Sequence, residues 1–222
     1  PLLFNIYVND QPISPNTRSF IYADDLAVAS QNVDIDRVEV HINNALQTLS
    51  TYYSRNRLKP NPEKTVSCLF HLRNRDANRT LKLQWLGRDI AHHDAPVYLG
   101  VTLDRSLTYK HHIHKTCLKV ASRNNLLQKL SGTNWGAHPH TLRTTALAIC
   151  YSAAEYAAPV WARSNHTHKL DRILNQTCRQ VTGCLKPTPI SSLYVLSGIA
   201  PPSIRRTVTS MAEKKKQDTD PR

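Results

Sequence analysis

Apolar side chains recur along this chain in two rhythms, and the rhythm changes partway. Early on, the runs Phe20 to Ala23 and Leu26 to Ala29 flank the pair Asp24 and Asp25 in "FIYADDLAVAS". Apolar runs of this length around turn-forming residues predict two short strands joined by a tight turn at the two aspartates. Further on, Ile35, Val38, Ile42, Ala45, Leu46, Leu49 and Tyr53 fall at steps of three and four, with Asp34 just before them. That is one face of a helix with a capping residue in place. Two prolines in "KPNPEKT" end it, and "VSCLFHL" comes next as a strand. "LKLQWLGRDI" and "APVYLGVTLD" read as two more strand-like runs, with Gly87 and Gly100 marking bends or bulges.

Past Asp104 the spacing turns helical. Ile113, Cys117, Val120, Leu127 and Leu130 define one helix, "HTLRTTALAICYSAAEYAAPVW" a second, and Leu170, Ile173, Leu174, Cys178 and Val181 a third. The fold class expected is therefore α+β: a mixed region over residues 1–108, an all-helical region over 109–205, and a basic tail over 206–222. The tail has no apolar period and is expected to lack regular structure. At the other end, "PLLFNIYVNDQP" places Leu2, Leu3, Ile6 and Val8 at buried-looking spacing. It reads as a core helix of a longer structure, so the chain is expected to be a fragment.

Composition narrows the partners. The 222 residues include 29 Lys and Arg against 16 Asp and Glu, a formal net charge of +13. Such an excess favours a polyanion, nucleic acid above all, over an acidic small molecule. The five cysteines, Cys68, Cys117, Cys150, Cys178 and Cys184, are odd in number and far apart. This argues against a disulfide framework and for a reducing compartment. No apolar run reaches the roughly 20 residues that span a bilayer, and no basic stretch precedes an apolar one at the N-terminus, so neither a membrane partner nor a signal peptide is expected. His111, His112 and His114 suggest a metal site or an exposed helix start; no Cys or carboxylate set at ligand spacing accompanies them, which favours the latter. The aspartate pair itself has two readings, a solvated turn using Asp for local hydrogen bonds and a chemical site.

The ordered blocks "PLLFNIYVND", "FIYADDLAVAS", "LKPNPEKTVSCLF" and "VYLGVTLDRSLTYKHHI" resemble the palm of reverse transcriptases encoded by non-LTR (LINE-type) retrotransposons, most closely the jockey-like group. The helical remainder, "WGAHPHTLRTTALAICYSAAEYAAPVWARS" and "LNQTCRQVTGCLKPTPISSLYVLSGIAPP", resembles the thumb and following region. The resemblance implies a partial palm followed by a thumb-like region, and an RNA-directed DNA polymerase whose partners are an RNA template, a DNA primer and deoxynucleoside triphosphates. It implies Mg²⁺ or Mn²⁺ as cofactor, and an intracellular protein found in nucleus and cytoplasm. Nucleotidyl transfer uses two divalent ions roughly 3.5 to 4 Å apart, and these hard cations want carboxylate oxygen. A continuous strand would aim adjacent aspartates to opposite faces, and a turn removes that conflict.

On this resemblance Asp24 is the main metal ligand and Asp25 its support, while Tyr22 and Ala23 lie under the primer end. Lys64 approaches the pyrophosphate, and Leu99 and Gly100 form a primer grip. Lys115, Lys119 and Arg123, with Lys110 and Lys129, lie along a thumb helix that crosses the template–primer duplex. The family's palm also contributes a further metal-bridging Asp, finger residues and a Gly-rich segment, all expected upstream of the "PLLFNIY" block in the full-length protein. Two functions stand as alternatives: a piece of a working polymerase, or a catalytically dead remnant acting at most as a basic nucleic-acid-binding module.

Overall fold

A computed structural model describes residues 2–132 and 136–220. Trp135, which opens one of the helical blocks, and the last two residues of the tail lie outside the described residues. The chain divides into two compact units, Pro1–Pro96 and Val97–Arg222. The expected boundary near residue 108 thus moves toward the N-terminus, because the "VYLG" segment packs with the helices C-terminal to it.

The first unit opens with helix α1 (Leu2–Tyr7), then an antiparallel hairpin of β1 (Thr17–Tyr22) and β2 (Asp25–Ser30), then the long helix α2 (Ile35–Arg55). The Asp34 carboxylate accepts from the Asp36 amide at 3.0 Å, capping α2. The helical period holds: Ile35, Val38, Ile42, Ala45, Leu46 and Leu49 are buried. Tyr52 takes the place expected for Tyr53, donating its hydroxyl to Asp10 at 2.7 Å, while Tyr53 is half-buried. Burial and the Asp10 carboxylate push the Tyr52 phenol up to about 12.

Opposite α2 stand Leu69, Leu81, Leu83, Trp85 and Ile90, and the Trp85 indole donates to Ser50 at 2.8 Å. Only Val66–Ser67 of "VSCLFHL" is a strand, β3, and it pairs with β6 (Ala91–His92) in parallel. Between them β4 (Gln84–Trp85) and β5 (Arg88–Asp89) close a hairpin over Leu86 and Gly87, both at positive φ. The glycine bend predicted there is a two-residue turn. α1 is helical as expected, yet none of its residues is buried: Leu3 is 82% exposed.

The second unit begins with hairpin β7 (Val97–Tyr98) and β8 (Val101–Thr102), then α3 (Lys110–Leu130) and α4 (Pro139–Thr145). α4 runs through a π-helical turn, Ala146–Tyr151, into α5 (Ser152–Ala154). Then come α6 (Ala158–Trp161), α7 (Thr167–Thr182), α8 (Ile190–Ser197) and α9 (Pro202–Thr219). Ile113, Cys117 and Val120 of α3 meet Leu170, Leu174 and Cys178 of α7, with Tyr151, Trp161, Leu193 and Ile199 completing the core. Leu127, Leu142, Ala146 and Val181 form a second cluster.

The tail expected to lack regular structure is helical to Thr219. Arg205 clasps Glu155 through two bonds of 2.5 and 2.7 Å, and Arg206 clasps Asp171 through two of 2.5 and 2.9 Å. Those paired contacts dock the start of α9, and Ala, Glu, Lys and Gln, all good helix formers, carry it onward. No disulfide joins the five cysteines. Among the described residues no helix is long and apolar enough to cross a membrane. The α+β class holds, with mostly antiparallel two-stranded sheets and one parallel pair.

Candidate functional site

The aspartate pair sits where β1 turns into β2. Tyr22 pairs with Asp25 across the hairpin, so the two-residue loop is Ala23–Asp24. The turn is therefore one residue earlier than expected, because Asp25 already belongs to β2. Ala23 has φ of 53°, and Asp24 is not among the residues at positive φ. Positive φ at the first loop position alone is the pattern of a type II′ connection, whose twist matches that of the strands.

This places the carboxylates by simple alternation. Leu26, Val28 and Ser30 share one face of β2; Val28 packs on the α2 core and the Ser30 hydroxyl lies 3.1 Å from His41 Nδ1. Asp25 falls on the other face with its cross-strand neighbour Tyr22. Asp24 occupies the tip. Tyr22, Ala23, Asp24 and Asp25 are all exposed, Tyr22 to 66%, and no ion pair among the described residues involves either aspartate. One face of the hairpin is thus anchored, and the tip presents two uncommitted carboxylates. Their oxygens suit a hard divalent cation. Among the described residues, however, no group of three or more His, Cys, Asp and Glu comes together to hold a metal. The donor type fits Mg²⁺ or Mn²⁺, but two carboxylates are fewer than such an ion's coordination shell needs.

Lys64 stands on another loop of the first unit. Its amide bonds Asn61 at 3.3 Å, the Glu63 amide bonds the Asn61 side chain at 3.0 Å, and Glu63 pairs with Arg88. These bonds fix the loop and leave the Lys64 side chain exposed.

In the second unit Leu99 and Gly100 form the two-residue turn between β7 and β8, with φ of 46° and 78°. The Tyr156 hydroxyl donates to the Leu99 carbonyl at 2.8 Å. Nothing in the sequence signals this contact, since the residues are 57 positions apart. The loop from Asp104 to Tyr109 is tied by the Asp104 carboxylate, which accepts from the Thr108 amide at 2.9 Å and the Tyr109 amide at 2.6 Å. Burial pulls the Asp104 carboxyl upward, but the bonds from Thr108 and Tyr109 prevail and hold it below the usual range.

The basic series on α3 divides. Lys110, Lys115, Lys119 and Lys129 are exposed, although the Lys115 ammonium also donates to Thr102 at 3.3 Å. Arg123 is half-buried and donates to the Ile149 carbonyl in the π-helical turn. The histidines differ too. His111 and His114 are exposed, but His112 is buried, its Nδ1 accepting from the Thr102 amide at 3.3 Å and its ring 6.1 Å from that of Trp161. Burial, reinforced by Lys115, lowers its pKa and keeps it neutral. It is a core residue, neither metal ligand nor exposed helix start.

Two curated proteins of Drosophila melanogaster are similar to this chain. One is a probable RNA-directed DNA polymerase from transposon BS, 26% identical over 199 residues, which cover 83% of the chain and 21% of the relative. The other is the RNA-directed DNA polymerase from mobile element jockey, 28% identical over 200 residues, covering 82% of the chain and 21% of the relative. The chain spans about a fifth of the length of these relatives. No protein-family model matches it. No solved structure matches it significantly. The similarity to the two transposon polymerases bears out the resemblance to non-LTR retrotransposon reverse transcriptases that the sequence blocks carry.

Proposed function

We propose that this chain is part of the RNA-directed DNA polymerase of a jockey-like mobile element, with the Tyr22–Asp25 turn as its metal-ligating hairpin. The observation that carries this reading is the anchored hairpin whose exposed tip holds two carboxylates free of ion pairs among the described residues, in a chain similar to such polymerases over four fifths of its length. On this reading the first unit is a portion of the palm and the helical unit a thumb. Asp24, at the tip, is the principal ligand for Mg²⁺ or Mn²⁺, and Asp25 supports it. The ions, when bound, activate the primer 3′-hydroxyl and stabilise the departing pyrophosphate. Ala23 offers a small side chain beneath the primer sugar, with Tyr22 beside it. Lys64 brings an exposed ammonium to neutralise charge on the pyrophosphate. Leu99 and Gly100 hold the primer through their backbone.

Two carboxylates do not complete a two-metal site, so the reading requires a further carboxylate from elsewhere in the full-length protein. The 222-residue chain by itself will then copy nothing, whereas the full-length polymerase will extend a primer on an RNA template. Primer extension with Mg²⁺ or Mn²⁺ tests both arms, and template-dependent synthesis by the isolated chain would overturn the assignment.

The thumb reading makes a separate demand. Lys115 and Lys119 lie one turn apart on α3 and are exposed with Lys110 and Lys129, whereas Arg123 is committed to Ile149. Engagement of two or three phosphates by these lysines gives a log–log fall of affinity with salt of about 1.4 to 2.7, at 0.7 to 0.9 per phosphate. Titrating the chain against an RNA–DNA hybrid and an unrelated duplex should yield that slope for both. Weak binding insensitive to salt would remove the nucleic-acid role from this face.

A further inference from the structure

The β7–β8 turn is held from outside by one residue of the helical unit. The Tyr156 hydroxyl donates to the Leu99 carbonyl at 2.8 Å. Its ring also lies against Gly100: a Cβ added there would stand 3.2 Å from Tyr156 Cε1 and 3.5 Å from its hydroxyl oxygen. Both turn residues have positive φ, which glycine adopts freely and leucine does not. Leu99 is therefore in a conformation its own preferences oppose, and the Tyr156 bond is one of the contacts that keep it there.

Tyr156 is in turn fixed by its neighbours. Its carbonyl accepts from the Trp161 indole at 2.9 Å, Trp161 is fully buried, and the adjacent Glu155 is gripped by Arg205 through both carboxylate oxygens. The Tyr156 side chain is nonetheless 55% exposed and belongs to none of the core clusters. Partial exposure is common for a tyrosine, whose ring can lie on a surface with its hydroxyl bonded. This one is mounted rigidly at its backbone and spends its ring and hydroxyl on a two-residue turn.

We infer that Tyr156 is a positioning residue for the primer, setting the Leu99–Gly100 backbone so that the turn N–H groups meet the primer strand at a fixed place. The inference rests on the reading of this turn as the primer contact. A reacting 3′-hydroxyl displaced by about 1 Å can lose on the order of 10²-fold in rate, so a side chain that fixes the turn acts on catalysis without touching the reacting atoms.

The test uses the full-length polymerase and two variants. Tyr156→Phe keeps the ring and deletes the donor, and Tyr156→Ala deletes both. Single-nucleotide incorporation is measured on a primer with a matched 3′ end and on one with a mismatched end. Tyr156→Phe should lower kcat on the matched primer about 10-fold and Tyr156→Ala on the order of 10²-fold, with KM for the nucleotide and the melting temperature unchanged. The mismatched end is misplaced already, so its slow extension should hardly change, and the matched-to-mismatched ratio should collapse. Unchanged matched extension in Tyr156→Phe and Tyr156→Ala overturns the inference. An equal loss on both primers with a lowered melting temperature also overturns it, since that marks a merely structural role. A parent enzyme that copies no primed template overturns the polymerase reading and this inference with it.

Discussion

Replacing Asp24, the proposed metal ligand, by Asn in the full-length protein should abolish the proposed synthesis, by about 10³-fold or more, while leaving the fold intact. The amide keeps the size and hydrogen-bonding reach of the carboxylate but not its charge, and a divalent ion held in a transition state is worth several kcal/mol, at about 1.4 kcal/mol per tenfold in rate. Asp24 is exposed at a hairpin tip anchored through other residues, so its replacement should shift stability by no more than about 0.5 kcal/mol. Asp25→Asn should be milder, because Asp25 flanks the tip on β2. Lys64→Ala should slow copying by roughly 10- to 10²-fold without stopping it, at or below the usual range for a positioned proton donor. Primer extension beside thermal melting separates these outcomes. An Asp24→Asn enzyme with the parent's rate would remove Asp24 from the metal site.

The largest effect on stability should come from Trp161→Ala. Trp161 is 1% exposed in the core of the helical unit, against the ring of His112 and with its indole bonded to the Tyr156 carbonyl. Truncation leaves a large cavity and an unsatisfied carbonyl, which together should cost about 3 to 5 kcal/mol. Domains are stable by only about 5 to 15 kcal/mol, so the substitution removes a large share of the total. Urea unfolding of the chain followed by circular dichroism should show the helical signal melting at markedly lower denaturant. Trp161→Phe should lose less, since it keeps much of the ring volume and forfeits mainly the bond to Tyr156. A midpoint unmoved by Trp161→Ala would mean that this core does not hold the helices together.

Locally repeating features were the legible part of the sequence. α2 was readable because seven apolar positions recur at helical steps and Asp34 caps them. The hairpin around the aspartates is legible from its two apolar runs, but they point to a tip one residue later than the Ala23–Asp24 loop. Asp is the usual turn former, and here Ala23 takes the positive φ while Asp25 is held in the ladder by Tyr22. "VSCLFHL" promised a full strand and delivered two residues, because its pairing partner, β6, is itself only two residues long.

The helix of the tail is not legible in its sequence because its anchors lie outside its own pattern. Arg205 and Arg206 find Glu155 and Asp171 far away in sequence, and no local rhythm announces an ion pair. Basic residues looked alike for the same reason. Nothing in the spacing distinguishes Lys119, which is exposed, from Arg123, which is turned into the Ile149 carbonyl. Tyr156, which geometry ties to the Leu99–Gly100 turn, was invisible for want of any local signal.

The π-helical turn of Ala146–Tyr151 sets the length of its segment. Such a turn amounts to one extra residue in an α-helix, and here it lets Cys150 and Tyr151 both enter the core in succession while Leu142 and Ala146 reach the second cluster. Loss of a single codon between 146 and 151 would be absorbed by a return to ordinary helical winding, with the segments on either side keeping their faces, whereas gain of a further one, with the wide turn already in use, would rotate them by about 100° relative to each other. Leu142 would then leave Leu127 and Val181. These six positions should therefore tolerate a shortened helix better than a lengthened one, because only an added residue turns the two clusters away from each other.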